Sequence, residues 1–218
     1  MVVSAALGCR LCAIAASDVE RAGFDVPIIR EKDFFAIASL GGFIDGWSLV
    51  CPNNHRANLL VDYEGGALYD TVGSVVEAVE CEFGPAVVFE HGPRGEASET
   101  GCGTCHAHMH VVPFGGSILA LSKVADSSLS WQTVCVSDLQ AVVGDSEYLF
   151  AADAYDGSRT VGAVAVLSAP RSQFFRRVLA SAIGSSESSD YRIAPFERNA
   201  ESTSMRLRSI LRRARCAA

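Results

Sequence analysis

The chain has 218 residues, of which 49% are hydrophobic, so it is long enough for one generous domain or for a domain with a long extension. Its formal net charge is −7, and this argues against broad binding to nucleic acid because an acidic surface repels the phosphate backbone. No run of residues approaches the roughly 18 uncharged apolar positions that a membrane-spanning helix requires.

The cysteines and the first residues bear on the compartment in which the protein works. Eight cysteines are scattered along the chain, which fits a reducing compartment better than a set of disulfides. The apolar start, MVVSAALGC, lacks the positive charges with which a secretory signal begins. We therefore expect a protein of the cytoplasm that does not insert into a membrane.

The first 116 residues predict strands arranged around one central helix. The apolar run WSLVCP, residues 47–52, is typical of a buried strand. Between residues 59 and 83 apolar residues recur every three or four positions, which is the spacing of an amphipathic helix. Two further strands are predicted, AVVFEHG at 86–92 and CHAHMHVVPF at 105–114. This order indicates an α+β fold with an antiparallel sheet of about five strands.

The remaining residues, 117–218, predict a C-terminal α/β extension. The segment YLFAADAYDGSRTVGAVAVL indicates a hairpin, because Asp156 and Gly157 are turn residues between two apolar runs. Helices are predicted around SQFFRR and in the arginine-rich segment 205–216, whose charges we interpret as a solvated helix face. We therefore divide the chain into a catalytic domain, 1–116, and an extension, 117–218, that packs on this domain or completes it.

Three of the five histidines of the chain lie within GCGTCHAHMHVVPF, residues 101–114. Side chains alternate along a strand, so His106, His108 and His110 would share one face at a spacing of roughly 6.5 to 7 Å. Two neighbours can reach one metal ion, whereas three in an unbent strand would struggle to do so. Two hypotheses follow from the pattern: a metal pair that activates a water molecule, or an imidazole that acts as nucleophile or general base.

The segment H-A-H-M-H-V-V resembles the H-φ-H-φ-H-φ-φ motif, with φ apolar, of the histidine triad (HIT) hydrolases and transferases. Three other stretches are similar to parts of that family in the same order: GCRLCAIA with its CxxC, WSLVCPNNHRANL with His55, and VVFEHG. Together they cover about residues 9 to 114. The resemblance implies a HIT-like fold for this part of the chain.

The resemblance also implies a structural zinc ion. In members of the family that carry the CxxC, the corresponding ligands are Cys9, Cys12, His55 and His106, a Cys2His2 set that completes a tetrahedral shell. Such a site would tie the N-terminus to the triad segment, and metal binding would contribute to folding. The alternative is a redox pair of cysteines, but the βαβ context of thioredoxin-like motifs is missing.

By the same resemblance the other two histidines are catalytic. His108 is expected to attack the α-phosphorus of a nucleotide, and water or another acceptor then releases the nucleoside monophosphate from the covalent intermediate. His110 is expected to contact phosphate oxygens and to take part in proton transfer. The implied enzyme is a nucleotidyl hydrolase or transferase: a phosphoramidase, a dinucleoside polyphosphate hydrolase or a phosphorylase-like enzyme. The alternatives are a nucleotide or sugar-nucleotide binding protein without catalysis, and a metal-dependent hydrolase that uses the HxH pair.

Six residues are candidates for binding the substrate. Main-chain N–H groups near Cys102 and Gly103 suit phosphate oxygens, although Gly103 replaces a serine that assists the leaving group in many family hydrolases. Ser39 stands where the family has a ribose-binding aspartate. Glu90 replaces a polar residue that orients the phosphate, so it either binds a substrate hydroxyl or amine or supports the site. The other two candidates, which could line the pocket or clamp a phosphate, are Gln173 and Arg176.

The expected partners follow from these assignments. The substrate would be a nucleotide or a nucleotide conjugate. Family members commonly form homodimers through the sheet edge or the neighbouring helix, so the resemblance allows a homodimer here, but the extension could instead cover that surface within one chain.

Overall fold

The structure, a computed structural model, describes residues 8–16, 23–95, 97–100, 105–185, 190 and 192–217. In these residues the chain forms one antiparallel sheet of eight strands with helices packed against it. The predicted α+β class with an antiparallel sheet is thus confirmed.

Five of the strands come from the first 116 residues. They are β1 (Ile29–Arg30), β2 (Phe34–Ala38), β3 (Ser48–Pro52), β4 (Ala86–Gly92) and β5 (Met109–Pro113). The sheet places β5 between β3 and β4, and all of the strand pairs are antiparallel. Helix α1 (Arg10–Ala15) precedes these strands.

The predicted central helix is confirmed as α2 (Gly66–Phe83). Its buried residues include Leu68, Val72 and Val79, whose spacing of three or four positions places them on one face of the helix. Because these side chains need an apolar partner, the helix packs across β2, β3, β4 and β5. The helix begins later than the apolar pattern indicates, because residues Leu60–Glu64 form a short 3-10 helix first. It ends at Phe83, and the residue that follows, Gly84, has a φ of 93° that favours glycine.

The extension adds three strands to the same sheet. They are β6 (Gln132–Cys135), β7 (Glu147–Ala152) and β8 (Val161–Leu167), and β7 and β8 form the predicted hairpin. Strand β7 pairs with β4, so the order is β1-β2-β3-β5-β4-β7-β8-β6. The sheet therefore has eight strands rather than about five, because the free edge of β4 pairs with β7 of the extension.

Four helices accompany these strands: α3 (Ile118–Ala125), α4 (Leu139–Val143), α5 (Phe174–Ala182) and α6 (Glu197–Ala217). Arg206 of α6 lies 2.7 Å from Glu82 and its guanidinium stacks on Phe83, which attaches α6 to α2. In the described part of the chain, the helices lack the combination of length and apolar character that crossing a bilayer requires.

Two units of the same connectivity meet at the centre of the sheet. The first runs β3, α2, β4, β5, and the second runs β6, α4, β7, β8, with β4 paired to β7 where the units join. The amino-acid sequence shows no matching repeat, and the second unit contains no histidine. The histidine-bearing unit is thus flanked by a unit of similar topology without the same chemistry.

The sheet separates two apolar layers. One layer lies on the α2 face and contains Val88 and Phe150, whereas the other lies on the opposite face and contains Phe89, Leu149 and Phe175. Successive residues of a strand point to opposite faces, so neighbours such as Val88 and Phe89 enter different layers. The second layer is the one that receives the catalytic candidates His108 and His110, because Phe89 packs against His110.

The strand that carries the triad begins later than predicted. We expected a strand from residue 105, but β5 starts at Met109, and residues 105–108 have an irregular conformation. The N–H of Ala107 donates to the carbonyl oxygen of Arg56 at 2.7 Å instead of joining the sheet. The expectation that all three histidines share one strand is therefore wrong, because His106 and His108 lie in this irregular segment and only His110 belongs to β5.

We propose that residues 117–218 complete the fold of residues 1–116. A fragment of residues 1–116 should not unfold cooperatively, because β4 loses its partner β7 and the apolar layer around Phe89 loses Leu149 and Phe175. Calorimetry and near-ultraviolet circular dichroism of the fragment, compared with the intact chain, test this expectation. A sharp thermal transition with native-like aromatic signals in the fragment would contradict it.

Candidate active site and metal centre

The predicted metal ligands are brought together by three separate parts of the chain. Cys9 precedes α1 and Cys12 lies within it, His55 follows β3, and His106 precedes β5. One ligand atom from each of these residues lies within 4.8 Å of the others. The Sγ of Cys12 lies 3.2 Å from the Nδ1 of His55 and 3.4 Å from that of His106, and the Sγ of Cys9 lies 3.5 Å from the latter.

This donor set is compatible with zinc. Zinc bonds of about 2.3 Å to sulfur and about 2.0 Å to nitrogen place the two ligand atoms about 3.5 Å apart in a tetrahedron, close to the observed distances. The Nε2–H of His106 donates to the carbonyl oxygen of Pro52 at 2.8 Å, so the lone pair on Nδ1 is directed into the cluster. An imidazole that binds metal through one nitrogen commonly donates its other N–H in this manner.

His108 has a fixed protonation pattern. Its Nδ1 lies 2.7 Å from the carbonyl oxygen of His106, and because a carbonyl only accepts, this nitrogen carries the proton. The Nε2 atom of the neutral ring therefore has a free electron pair for bonding to an electrophile. His108 is 8% exposed, and its ring centroid lies 4.7 Å from that of His110.

His110 has the opposite pattern. The indole N–H of Trp47 donates to the Nδ1 of His110 at 2.9 Å. Because an indole nitrogen can only donate, the Nδ1 of His110 is unprotonated and the neutral ring holds its proton on Nε2. The ring also stacks on Phe89 with a centroid distance of 4.4 Å. The Nε2 of His108 thus carries an electron pair, whereas the Nε2 of His110 carries a proton.

The surroundings keep these imidazoles neutral near pH 7. Burial lowers the pKa of both His108 and His110, and the positive charge of Arg176 lowers the pKa of both further. In His108 the hydrogen bond to the His106 carbonyl acts in the other direction, but burial is the larger effect. A neutral His108 is the form that can act as a nucleophile.

Arg176, a substrate-binding candidate of helix α5, lies on the same face as the histidines. Its side chain is 2% exposed, and the guanidinium carbon lies 4.8 Å from the centre of the Trp47 ring and 5.6 Å from that of Phe43. It donates to the carbonyl oxygen of Gly41. The extension therefore places a cation on the face of the sheet that carries the imidazoles, and a role of Arg176 in substrate binding stays a prediction.

Gln173, the other candidate from the extension, caps the same helix. It has a left-handed backbone with φ of 52°, which is uncommon for a residue other than glycine. Its Oε1 atom is buried and has no hydrogen-bond partner among the described residues. Two residues later, the N–H of Phe175 donates to the Nε2 of His91 at 3.3 Å. The start of α5 therefore faces the histidine layer.

His91 and Trp47 are members of this site that sequence reasoning missed. His91 lies in β4, is 6% exposed, and its ring centroid lies 5.9 Å from that of His110. In the sequence Trp47 is only the first residue of an apolar run. Alternation along β4 places His91 on the same face as Phe89, but the register that sets Phe89 opposite His110 is visible only in the structure.

The structure does not bring Glu90 to the histidines. Glu90 is fully buried on the α2 face, where its Oε1 accepts the N–H of Leu59 at 2.8 Å. Its Oε2 accepts the hydroxyl groups of Tyr63 and Tyr148, each at 2.6 Å. Burial raises the pKa of Glu90 to about 7, although these three hydrogen bonds lower it. Glu90 thus anchors the segment that follows His55.

The remaining substrate-binding candidates lie elsewhere or outside the described residues. Ser39 is buried in the turn after β2, where its N–H donates to the carbonyl oxygen of Trp47 at 2.9 Å. Its hydroxyl lies 3.4 Å from the carbonyl oxygen of Leu40. Ser39 therefore supports the turn that leads to Trp47. Cys102 and Gly103 lie outside the described residues.

We expect the metal centre to contribute to stability. Replacing Cys9 or Cys12 with serine should remove about one zinc per chain and lower the melting temperature by at least about 10 °C, because each change removes a thiolate ligand. Elemental analysis and thermal denaturation measure the two effects. Cys81→Ser is the matched control, because Cys81 is exposed and lies outside the cluster. Unchanged zinc content in both variants would exclude this site.

The buried carboxyl of Glu90 should make stability depend on pH. Its pKa is about 7 in the folded chain against an ordinary value of 4.5, so between these pH values the folded state binds more protons than the unfolded state. The free energy of unfolding should therefore fall as pH rises through this window, by about 3 kcal/mol from this group.

Glu90→Gln isolates this contribution. The stability of the parent relative to the variant should decrease between pH 4.5 and 7.5, as measured by urea denaturation at each pH. Glu77→Gln is the control, since Glu77 is exposed on α2. A constant difference between the parent and Glu90→Gln across this range would show that the carboxyl ionises normally.

Comparisons with known proteins concern about half of the chain. No family model and no curated protein matches it. It resembles a hypothetical histidine triad nucleotide-binding protein from Sulfolobus tokodaii strain7, with 21% identity and a TM-score of 0.38 over 50% of this chain and 71% of the other. A HIT family protein from Bacillus anthracis is 17% identical with a TM-score of 0.39, and the match covers 52% of this chain and 77% of that protein. A member of the HIT family from Bacillus subtilis is 22% identical with a TM-score of 0.37, and the match covers 50% of this chain and 80% of that protein. These solved structures are histidine triad proteins, the family that the sequence motifs resemble.

Proposed function

We propose that this protein is an enzyme that cleaves or transfers a nucleoside monophosphate through a covalent nucleotidyl intermediate on His108. The observation that carries the proposal is that two neighbouring neutral imidazoles are in opposite tautomers. The Nδ1 of His108 donates to the His106 carbonyl, whereas the Nδ1 of His110 accepts from Trp47. One ring is thereby suited to attack an electrophile, and its neighbour is suited to donate a proton or a hydrogen bond.

The proposed reaction has two steps. In the first, the Nε2 electron pair of His108 forms a bond to the α-phosphorus, and the bond from phosphorus to the leaving group breaks with its electron pair. The leaving group takes up a proton. In the second, water or another acceptor attacks the phosphorus and the N–P bond breaks, which returns the electron pair to Nε2 and releases the nucleotide. The acceptor loses its proton in this step.

The neighbouring residues would assist by charge and hydrogen bonding. His110, with its proton on Nε2, would donate to a non-bridging phosphate oxygen as negative charge develops there. Arg176 supplies a buried positive charge on the same face, and charge is more effective there than in water. Burial of His108 also excludes bulk water, which would otherwise compete as a hydrogen-bond partner.

Zinc has a structural role in this proposal. Cys9, Cys12, His55 and His106 would hold the ion, which when bound supplies cross-linking of the N-terminus to the triad segment. The backbone carbonyl of His106 orients His108. The metal-dependent alternative, in which His106 and His108 share a catalytic ion, has less support, because the Nδ1 of His106 belongs to the cysteine cluster and that of His108 donates to a carbonyl.

The proposed substrate is a nucleotide or a nucleotide conjugate, and the cytoplasm is the proposed compartment. A homodimer through the edge of β4 would compete with the pairing of β4 and β7. We therefore propose that any homodimer uses another surface, such as an outer strand of the sheet, β1 or β6.

The adduct on His108 is the test of this function. The parent is incubated with nucleoside phosphoramidates, dinucleoside polyphosphates and nucleotide sugars, quenched rapidly and digested for mass spectrometry. We expect a nucleoside monophosphate on the peptide that contains His108. In His108→Asn the adduct should disappear and turnover should fall about a thousandfold or more, because the amide can still donate to the His106 carbonyl but has no nucleophilic nitrogen.

The same variant separates catalysis from simple binding. If the parent forms no adduct and His108→Asn binds nucleotide as well as the parent does, the protein is a binding protein rather than this enzyme. Cys81→Ser serves as the control, since its exposed thiol on α2 lies away from the histidines. Loss of activity on chelation without loss of folding would favour the metal-dependent alternative.

A further inference from the structure

The indole of Trp47 has a contact that sequence motifs do not reveal. Trp47 lies directly before β3, is 1% exposed, and donates its Nε1–H to the Nδ1 of His110 at 2.9 Å. We propose that Trp47 is a positioning residue that fixes His110 in the tautomer with its proton on Nε2. The effect on the reaction rests on the proposed function, whereas the effect on the tautomer does not.

The chemistry of the two rings allows the hydrogen bond between them to run in only one direction, from Trp47 to His110. A neutral imidazole exchanges its proton between Nδ1 and Nε2, so each nitrogen can be either a donor or an acceptor. An indole N–H has no such choice, because its nitrogen electron pair belongs to the aromatic system. If His110 carried its proton on Nδ1, two N–H groups would face each other in a buried site, and neither would have its partner. The indole therefore selects one tautomer.

The packing around Trp47 keeps its N–H directed at His110. The indole packs edge-to-face against Phe43 and Phe89, at centroid distances of 5.1 and 5.9 Å. The guanidinium of Arg176 lies over the ring at 4.8 Å. The main chain is also held, because the Trp47 carbonyl oxygen accepts the N–H of Ser39. A ring confined on several sides cannot turn its donor away without disturbing these contacts.

The fixed tautomer matters because His108 and His110 are neighbours. His108 holds its proton on Nδ1 and His110 on Nε2, and the two ring centroids are 4.7 Å apart. With His110 in the other tautomer, both rings would have an electron pair on Nε2. A phosphate oxygen would then meet an acceptor instead of a donor, and the rate of the first step would fall.

The contact also connects the extension to the triad. Arg176 belongs to α5, Trp47 precedes β3, and His110 belongs to β5, so three distant parts of the chain meet at one indole. A purely structural aromatic residue would be replaceable by another ring of similar shape. A positioning residue that works through its N–H would not be, and this difference can be measured.

Trp47→Phe removes the donor and retains an aromatic ring. The chain contains two tryptophans, and the other provides a matched control. The Nε1 of Trp131 is buried without a hydrogen-bond partner among the described residues, and its ring packs on Phe174 and Phe175. Trp131→Phe therefore removes an indole N–H of the same kind that makes no such bond.

The tautomer of His110 is measured by 15N NMR of the full chain labelled at histidine and tryptophan. We expect His110 in the parent to show a protonated Nε2 and an unprotonated Nδ1, with a coupling through the hydrogen bond between Nδ1 and the Trp47 nitrogen. Trp47→Phe should give a mixture of tautomers, and Trp131→Phe should match the parent. An unchanged His110 in Trp47→Phe overturns the proposal. If that variant fails to fold, the coupling in the parent decides, and its absence overturns the proposal.

The catalytic consequence is measured with adenosine 5′-phosphoramidate. In Trp47→Phe, kcat and the rate of adduct formation should fall about tenfold or more while KM changes less than about threefold, because the lost hydrogen bond to the phosphate oxygen is strongest when negative charge develops there in the transition state. Trp131→Phe should retain parent rates. A shifted tautomer with unchanged rates would overturn the positioning role. If the parent forms no adduct with any substrate class tested, the proposed function fails, and the NMR result alone decides whether Trp47 sets the tautomer.

Discussion

The arrangement of this site depends on how residue His106 is held. Its Nε2–H donates to the Pro52 carbonyl, its Nδ1 faces the thiols of Cys9 and Cys12, and its own carbonyl oxygen accepts from His108. One residue thus connects the candidate metal ligands to the proposed nucleophile. Residues 105–108 do not join the sheet, since the N–H of Ala107 donates to the Arg56 carbonyl, and β5 begins only at Met109. Three similar histidines thereby acquire different surroundings.

The other side of the site is built from aromatic rings and one cation. Trp47 determines the acceptor nitrogen of His110, Phe89 stacks on the same imidazole, and Arg176 lies over the indole. Burial opposes charge on the imidazoles, whereas a cation stacked on aromatic rings retains part of its stabilisation without water. The site therefore combines neutral histidines with a positive charge, which is a favourable environment for an anionic phosphate.

The cation, Arg176, comes from the extension, which continues the sheet beyond β4. Strand β7 continues the sheet at β4, and helix α5, which follows β8, then covers the face on which the histidines lie. The second unit has the connectivity of the first but contains no histidine. The second unit contributes packing, and helix α5, which follows it in the chain, contributes the positive charge of Arg176.

The sequence by itself determined the chemical groups and the local elements. The resemblance of its motifs to the histidine triad family implied the four candidate metal ligands, and the apolar spacing indicated helix α2. Only the tertiary structure decided the faces and partners. A shift of one residue along a strand exchanges its faces, so the register of β4 with β5 decided that His91 and not Glu90 faces the triad. Contacts between distant segments, such as that of Trp47 with His110, leave no periodic signal in a sequence, because they form only when the sheet and α5 have packed.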